Sequence, residues 1–557
     1  MKPVHNKTQQ CHPKTMSNDQ TGAVHTLLVG LDAACLPVLR PLFEEGEIPT
    51  LHSIFSTGTY APLESQIPPW TASAWPSLYT GMNPGKHGVF DFLSFDGYDW
   101  SVVNGSHIRE RTLWEVLDYH GYSSVVVNTP VTHPPRPFDG ALVPGYTAPE
   151  NPQGHPAGIL DEVRDAIGEY RVYPRDPSPD DEKESKRYCD LVKMRGEAFQ
   201  YLVDRFEPEF GFIQFQQTDT VFHERPGDLE LVRDIYVEVD QQLEAIFDAY
   251  RPENVLVVSD HGMGKYTGYE FRVNEFLSRH GYVETVNGGQ GMPTWATVRD
   301  SKLRSGVDAQ SVKQGLRVKA IQLLARTGIT SQRVGALLER VGLDDVVASW
   351  VPTDVISAAT RQVDFERSTA YLRSRTELGI RINLEGREPN GVVSPEDYES
   401  VRTELIDLLQ SVTDPDGRPV FDDVAPRESY LSGPRDDEAV DIVLVPRDFD
   451  QFLSSMLSDT VFDEPSEPWN HKLHGVVAAV GNDIDVGASL EDAHLFDIAP
   501  TVLATFGVEA DDRMDGQTLP IVDSVKRTSY PDPEVREIQE TDDTDVEERL
   551  ANLGYLE

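Results

Sequence analysis

Carboxylate and imidazole side chains recur in short motifs that could hold divalent metal ions. Asp219 and His223, in QQTDTVFHE, are four residues apart, which places both on one face of a helix. Asp260 and His261, in VVSDHGMG, are adjacent and are followed by two glycines, so a tight turn there brings the two side chains together. Carboxylate oxygens and neutral imidazoles in such sets suit zinc or manganese. The motifs therefore predict metal binding.

Each motif also has an ordinary structural explanation. Asp32, in VGLDAA, could cap a following helix. The Asp219 and His223 pair could be an ordinary helix start, and the Asp-His pair a turn without function. His471 and His474, in PWNHKLHGVVAAVG, precede an apolar run, where a single histidine is more often structural than a ligand. The metal interpretation depends on the motifs acting together.

Residues 67–92, a segment rich in proline and glycine, carry several hydroxyls that could act as a nucleophile. The candidates are Thr71, Ser73, Ser77 and Thr80. A hydroxyl is a poor nucleophile at neutral pH unless a base or a metal lowers its pKa. The chain has no Gly-x-Ser-x-Gly motif, so the usual local sign of a serine hydrolase is missing. Activation by a metal is the simpler route.

Short apolar runs alternate with helical stretches along the chain, and these runs predict the strands that position the residues. The alternation predicts an α/β fold with a mainly parallel sheet that is buried between helices. The runs are HTLLVG at 25–30, SSVVVN at 123–128, FGFIQF at 210–215, NVLVVS at 254–259 and VDIVLV at 440–445. Asp32, Asp219 and Asp260 follow the first, third and fourth runs, at the sheet edge where open α/β folds gather their chemistry.

With these motifs in place, the chain resembles the type I phosphodiesterase/nucleotide pyrophosphatase family of the alkaline phosphatase superfamily, over most of residues 24–525. The family pattern begins with an Asp after the first strand and a Thr nine residues before the Thr of a Thr-Gly pair. It continues with Pro-x-x-His-Gly, Asp-x-x-x-His, Asp-His-Gly and a final His. The matching residues occur here in the same order: Asp32, Thr71, Thr80-Gly81, Pro84 to Gly88, Asp219 with His223, Asp260 to Gly262, and His471.

The resemblance implies an alkaline-phosphatase-like core and two divalent metal ions, zinc or alternatively manganese. One ion would be held by Asp32, Asp260, His261 and Thr71, and the other by Asp219, His223 and His471. It further implies that Thr71 attacks phosphorus, that a phosphothreonine intermediate forms, and that water then hydrolyses it. The expected activity is hydrolysis of phosphodiester or pyrophosphate bonds in a small-molecule substrate.

Two features depart from the family pattern. Nucleotide pyrophosphatases of the family carry an Asn three residues after the nucleophile, whereas this chain has Ala74, which puts nucleotide specificity in question. The final histidine has two candidates, because His474 directly precedes the glycine of the following run. Spacing favours His471.

Other functions remain open at this stage. A sulfatase would need a Cys or Ser in a Cys/Ser-x-Pro-x-Arg context, and a cofactor-independent phosphoglycerate mutase would use Ser with an inserted domain directly after it; neither pattern occurs at Thr71. A phosphomonoesterase or a phosphotransferase of the same superfamily would share the metal core. A catalytically silent binding protein with the same fold is a further alternative.

Composition bounds the partners and the compartment. The chain of 557 residues has 49 Lys and Arg against 93 Asp and Glu, for a net charge of −44. Such a charge argues against duplex nucleic acid as a partner and is typical of a halophilic protein's surface. Three cysteines without metal-like spacing, and no apolar stretch of signal-peptide or membrane-span length at the start, predict a cytoplasmic protein without a transmembrane segment.

The expected organisation has four parts. Residues 1–22 form a disordered arm, and residues 23–299 with 366–525 form the catalytic core. Residues 300–365 form a helical insertion that acts as a cap, as their Leu, Val and Ile spacing indicates. Residues 526–557 form an acidic tail that ends in a short amphipathic helix and is expected to dock or to be solvated. The oligomeric state is not predicted.

Overall fold

The computed structural model describes residues 24–175, 178, 180–287, 361–533, 537–539, 546–547 and 549–550. Its strands are β1 (Thr26–Leu31), β2 (Thr59–Glu64), β3 (Leu93–Asp96), β4 (Asp99–Val102), β5 (Ser124–Val127), β6 (Gly140–Val143), β7 (Phe210–Phe215), β8 (Asn254–Val258), β9 (Gly262–Lys265), β10 (Glu270–Arg272), β11 (Thr285–Asn287), β12 (Arg361–Val363), β13 (Ala370–Tyr371), β14 (Gly379–Ile382), β15 (Phe421–Pro426), β16 (Ile442–Pro446), β17 (Phe452–Ser454), β18 (Phe462–Asp463), β19 (Trp469–Lys472), β20 (His474–Gly481), β21 (Ala510–Asp511) and β22 (Arg527–Thr528).

The α-helices are α1 (Leu36–Glu45), α2 (Pro49–Thr57), α3 (Thr71–Thr80), α4 (Pro84–His87), α5 (Leu113–Tyr119), α6 (Ile159–Ile167), α7 (Asp181–Phe206), α8 (Gln217–Glu224), α9 (Leu229–Tyr250), α10 (Val273–Arg279), α11 (Tyr398–Gln410) and α12 (Ile498–Thr505). Short 3-10 turns lie at Arg375–Glu377, Arg427–Ser429, Asp436–Glu438, Arg447–Phe449 and Leu495–Asp497.

The central sheet has seven strands in the order β2-β20-β8-β1-β7-β5-β6. Strands β8, β1, β7, β5 and β6 are parallel, and β20 and β2 extend the sheet in antiparallel pairings. The parallel strands are buried at every position, as expected for a sheet covered on both faces. The prediction of a mixed α/β fold with a mainly parallel sheet is confirmed.

Two hydrophobic layers lie on the opposite faces of this sheet because strand side chains alternate. Leu27 and Val29 of β1 point into the layer formed with α1, α2, α7 and α9, whereas Leu28 points into the layer that contains α3, α5 and α12. The carboxyl ends of β1, β7 and β8 lie side by side at one edge of the sheet. That edge carries the predicted chemistry.

The apolar run at 440–445 does not join the central sheet, contrary to the expectation that grouped it with the other four runs. It forms β16, which pairs antiparallel with β14 and β15 in a separate four-stranded sheet. No α-helix lies between β15 and β16, so the connection is too short for a parallel crossover. A strongly apolar strand sequence indicates burial, but it does not identify the sheet.

Several predicted segments fall outside the described residues. The arm at 1–22 lies there completely, and so does most of the helical insertion at 300–365. Arg361–Val363, near the end of the predicted insertion, form strand β12, which pairs with β11. In the tail, β22 pairs with β21, and residues 546, 547, 549 and 550 are helical. Within the described part of the chain, no helix combines the length and apolar composition needed to cross a bilayer.

Candidate metal centre

Four elements bring the predicted ligands to one edge of the sheet. Asp32 directly follows β1, and Asp260 with His261 follows β8, the strand beside it. Helix α8, which follows β7 on the other side of β1, carries Asp219 in its first turn and His223 one turn later. His471 lies on β19, which pairs with β9 just beyond His261.

The first group of side chains is Asp32, Asp260 and His261, with Thr71 beside them. His261 Nε2 lies 3.1 Å from Asp260 Oδ2 and 3.5 Å from Asp32 Oδ1. Thr71 Oγ1 lies 3.2 Å from His261 Nε2 and 3.4 Å from Asp32 Oδ1. Thr71 is the first residue of α3, so its hydroxyl lies at the positive end of a helix.

The second group is Asp219, His223 and His471. The Nε2 atoms of both histidines lie 3.3 Å from Asp219 Oδ1 and 3.0 Å from each other. His474, the alternative final histidine, begins β20 with an exposed side chain and pairs by its backbone with Glu64. The structure therefore places His471, and not His474, against Asp219.

The two groups touch each other. The ligand atoms of Asp32, Asp260 and His261 all lie within 4.8 Å of one another, and the same holds for Asp219, His261 and His471. His261 thus contacts both groups. The six candidate ligand side chains and Thr71 form one buried cluster of three carboxylates, three imidazoles and a hydroxyl.

Polar residues outside the predicted set hold Asp32 in place. Trp75 Nε1 and Gln214 Nε2 each donate a 2.8 Å hydrogen bond to Asp32 Oδ2. Gln214 is itself fixed by Asn128, whose amide donates to Gln214 Oε1 at 2.7 Å. None of the motifs predicted these contacts, although a glutamine within the apolar strand FGFIQF is a visible signal of a buried polar contact.

Glu467, also outside the predicted set, supports the other group. Glu467 Oε2 lies 3.6 Å from His223 Nδ1 and accepts a hydrogen bond from Asn470 Nδ2 at 2.7 Å. Arg375 pairs with the other oxygen of the same carboxylate. A carboxylate behind an imidazole fixes the ring orientation and its tautomer, as in many metal sites. Glu467 lies in a loop with no motif, so nothing in the sequence pointed to it.

The buried ionisable side chains of the cluster shift one another's pKa values. Burial raises the pKa of Asp32 well above its usual range, and the charges of Asp260 and Asp219 raise it further. Burial also disfavours the charged form of Asp219, but His223 and His471 bring its pKa below the usual range. Burial would lower the pKa of His223, yet Asp219 and Glu467 raise it to about 10. The raised pKa of His223 means that its protonated form is stabilised by the carboxylates beside it.

Divalent cations fit this arrangement. None of the three aspartates forms an ion pair with a lysine or arginine of the described residues. Both oxygens of Asp219, and Oδ2 of Asp260, accept no hydrogen bond there. Buried carboxylates in this state are stabilised by metal ions. The donor set of oxygen and imidazole nitrogen without thiolate suits zinc or manganese.

Comparisons with known proteins agree with the geometry. The family model for type I phosphodiesterase / nucleotide pyrophosphatase matches residues 26–334, more than half of the chain. No curated protein sequence matches the chain. Among solved structures, phosphonoacetate hydrolase from Sinorhizobium meliloti 1021 in complex with phosphonoacetate aligns with a TM-score of 0.51 at 16% identity, over 86% of this chain and 94% of that chain.

Two further solved structures are similar at lower scores. Murine ectonucleotide pyrophosphatase/phosphodiesterase 5 in complex with AMP has a TM-score of 0.46 at 12% identity, over 87% of this chain and 96% of that chain. The alkaline phosphatase PafA has a TM-score of 0.49 at 13% identity, over 91% of this chain and 100% of that chain. At these identities the likenesses concern the fold alone.

Proposed function

Because the chain belongs to the type I phosphodiesterase / nucleotide pyrophosphatase family, we propose that it hydrolyses phosphodiester or pyrophosphate bonds with Thr71 as the nucleophile. The family is metal-dependent, and its members are phosphoesterases of the alkaline phosphatase superfamily. The substrate is a small-molecule phosphoester. The observation that carries the proposal is the position of Thr71 Oγ1 within 3.4 Å of both Asp32 Oδ1 and His261 Nε2.

Two divalent ions are assigned to the two groups of side chains. Asp32, Asp260, His261 and Thr71 would hold one, and Asp219, His223 and His471 the other, with zinc as the first choice and manganese as the alternative. When bound, the ions would lower the pKa of a hydroxyl and spread the negative charge that develops on phosphoryl oxygens. Trp75 and Gln214 would keep the Asp32 carboxylate in its ligand orientation through their hydrogen bonds to Oδ2.

Thr71 is the hydroxyl placed for attack. As its Oγ1 attacks phosphorus, its proton passes to Asp32 Oδ1 or His261 Nε2, the two acceptors within 3.4 Å. That proton returns to solvent before the next turnover. The P–O bond to the leaving group breaks as the Thr71 Oγ–P bond forms, and the leaving oxygen takes a proton from solvent. Water then attacks phosphorus, releases the phosphate product and restores the hydroxyl. The first step leaves a covalent phosphothreonine species.

The neighbouring hydroxyls are engaged elsewhere, which favours Thr71 over them. Ser73 Oγ donates to the carbonyls of Pro68 and Trp70, and Ser77 contacts Gln66 and His87. Thr80 Oγ1 donates to the Pro76 carbonyl. Among these four hydroxyls, Thr71 alone contacts the predicted ligands.

Ala74 affects how the site can recognise the phosphoryl group of a substrate. It is fully buried in α3, one turn from Thr71, and has no polar atom to offer to a phosphoryl oxygen where nucleotide pyrophosphatases of the family carry Asn. Recognition of the phosphoryl group therefore needs a donor from another element. For this reason the proposal names the bond that is cleaved and does not name a nucleotide.

Trapping the intermediate tests the proposal. Metal-loaded protein is mixed with bis-p-nitrophenyl phosphate, quenched in acid and digested. Mass spectrometry is expected to find the added phosphoryl ester on the peptide that contains Thr71, and to find none in Thr71→Ala. Rapid release of p-nitrophenol with the label on another residue, or with no label at all under several quench times, would count against a Thr71 nucleophile.

A further inference from the structure

Three buried hydroxyls without hydrogen-bond partners lie on the loops that follow β5 and β6. They belong to Thr129, Tyr146 and Thr147, and no hydrogen bond to them occurs within the described part of the chain. Tyr146 is 5% exposed, and the two threonines are buried as well. A buried hydroxyl that lacks a partner costs roughly 1–3 kcal/mol, so three together on adjacent loops call for an explanation.

The two loops are built tightly against each other. Gly145 donates from its backbone to the Thr129 carbonyl at 3.1 Å, and a Cβ at Gly145 would lie 1.9 Å from the Asn128 carbonyl oxygen. Asn128 and Thr147 have backbone φ of 64° and 73°, a left-handed conformation that is costly for residues with side chains. The loops are therefore held in one conformation, at the same sheet edge as the metal centre.

Tyr146 lies on the same face of the sheet as Thr71. Its ring packs edge-on against Phe92 and Tyr173, with centroids 6.1 and 5.9 Å away, in the hydrophobic layer that also contains α3. Burial raises the pKa of Tyr146 well above its usual value, and Tyr173 and Asp219 add to the rise. The hydroxyl therefore stays protonated and can donate, within the electrostatic reach of the metal centre.

An arginine from the C-terminal segment lies over Tyr173, the ring that packs edge-on against Tyr146. The Arg549 guanidinium stacks over the Tyr173 ring at 4.4 Å from its centroid, and its charge acts on Tyr146 in opposition to Asp219. Arg549 Nη1 donates a 3.5 Å hydrogen bond to the Pro174 carbonyl, whereas its Nε is buried without a hydrogen-bond partner in the described part of the chain. Leu550, next to it, is fully buried, so the segment is docked at this point.

We propose that Tyr146 and Arg549 form an anion subsite beside the metal centre, in which Tyr146 binds an oxygen of the scissile phosphoryl group and Arg549 binds a second, adjacent phosphate. This inference rests on the proposed function and narrows it to substrates with a pyrophosphate linkage. Tyr146 replaces the donor that Ala74 does not supply. In this proposal a single phosphate would bind Tyr146 alone, whereas two linked phosphates would bind both residues, with the charged hydrogen bonds of an arginine for the second.

Binding of inorganic phosphate and inorganic pyrophosphate to the metal-loaded protein tests the subsite directly. Calorimetry at a fixed free metal concentration is expected to show that Tyr146→Phe weakens the binding of both anions about tenfold. Arg549→Gln is expected to weaken pyrophosphate binding by about 10- to 100-fold and phosphate binding by less than about twofold. Arg549→Lys is expected to retain part of the pyrophosphate affinity. Metal content should be the same in all variants.

Tyr170→Phe is the matched control, because it removes another buried hydroxyl without a partner, in a region where Arg195 and Glu150 supply the nearby charges. It should change neither affinity. Equal loss of phosphate and pyrophosphate affinity in Arg549→Gln, or unchanged affinities in Tyr146→Phe, would overturn the proposal. Because the readout is anion binding, an enzyme that binds both anions as predicted but hydrolyses no ester would refute the proposed function and leave the subsite standing.

Discussion

The imidazole rings of His261 and His471 stack face to face, with 3.7 Å between their centroids and 18° between their planes. His261 contacts Asp32 and Asp260, whereas His471 contacts Asp219 and donates a hydrogen bond from Nδ1 to the Pro69 carbonyl. Burial and the neighbouring His261 lower the pKa of His471 to about 3, so its ring is neutral and able to bind a metal. The two groups of candidate ligands are therefore in direct contact through these two stacked imidazole rings.

Removal of the metals should destabilise the protein as well as inactivate it. Three buried aspartates would then lack a balancing cation, and a metal present at a hundred times its dissociation constant contributes about 2.7 kcal/mol of stability. Differential scanning fluorimetry is expected to show a lower Tm after chelation and recovery with zinc or manganese. In Asp219→Asn the recovery should be smaller. A Tm that does not respond to chelation would contradict the metal assignment.

Substitution at the two candidate histidines should separate them. His471→Ala removes an imidazole that lies 3.3 Å from Asp219, and is expected to reduce bound metal from two ions to one. His474→Ala changes an exposed side chain and should leave both ions in place. Metal analysis after gel filtration gives the stoichiometry. Loss of metal in His474→Ala with full retention in His471→Ala would reverse the assignment.

Residues that donate a hydrogen bond to a candidate metal ligand should affect metal affinity, although they do not contact the metal themselves. Gln214→Leu removes a donor to Asp32 Oδ2 and is expected to weaken metal binding by about 10- to 100-fold. Gln200→Leu is a fitting control because, within the described residues, that side chain donates to a backbone carbonyl of its own helix and to no candidate ligand. Competition with a chromogenic chelator measures the affinity. Equal metal affinity in Gln214→Leu and wild type would remove the role given to Gln214.

Local patterns predicted the central strands and the candidate residues that lie together at the sheet edge, because each strand and each short motif depends on neighbours in sequence. FGFIQF at 210–215 is strand β7, and the four-residue spacing of Asp219 and His223 is one turn of α8. The supporting contacts were not predictable in this way. Glu467 meets His223, and Gln214 meets Asp32, across the fold, and pairings between distant residues leave no periodic signal. For the same reason, the run at 440–445 was identified as a strand but assigned to the wrong sheet.

Asp91 should make stability depend on pH. It is fully buried, and burial together with the charge of Glu377 raises its pKa from 3.8 to about 7. The folded state therefore holds a proton that the unfolded state has lost. The stabilisation is complete below about 3.8 and disappears as the pH rises through about 7, with an upper bound of about 4 kcal/mol.

Asp91→Asn keeps an oxygen that can accept from the Phe92 backbone and the Thr376 hydroxyl, yet it cannot ionise. Urea denaturation between pH 5 and pH 8 should show a smaller fall in stability for this variant than for wild type. Asp96→Asn, at an exposed position of β3, should follow wild type. Parallel curves for Asp91→Asn and wild type would show that Asp91 does not control the pH dependence.

The central claim is tested most directly by the rate of bis-p-nitrophenyl phosphate hydrolysis, compared with p-nitrophenyl phosphate, in wild type, Thr71→Ala and Ser73→Ala, with zinc or manganese and after chelation. The account predicts diester hydrolysis that is faster than monoester hydrolysis and is lost on chelation. It also predicts a loss of at least about a thousandfold in Thr71→Ala with both metals retained, and near wild-type rates in Ser73→Ala. Turnover in Thr71→Ala close to that of wild type, or activity that survives complete removal of metal, would contradict it.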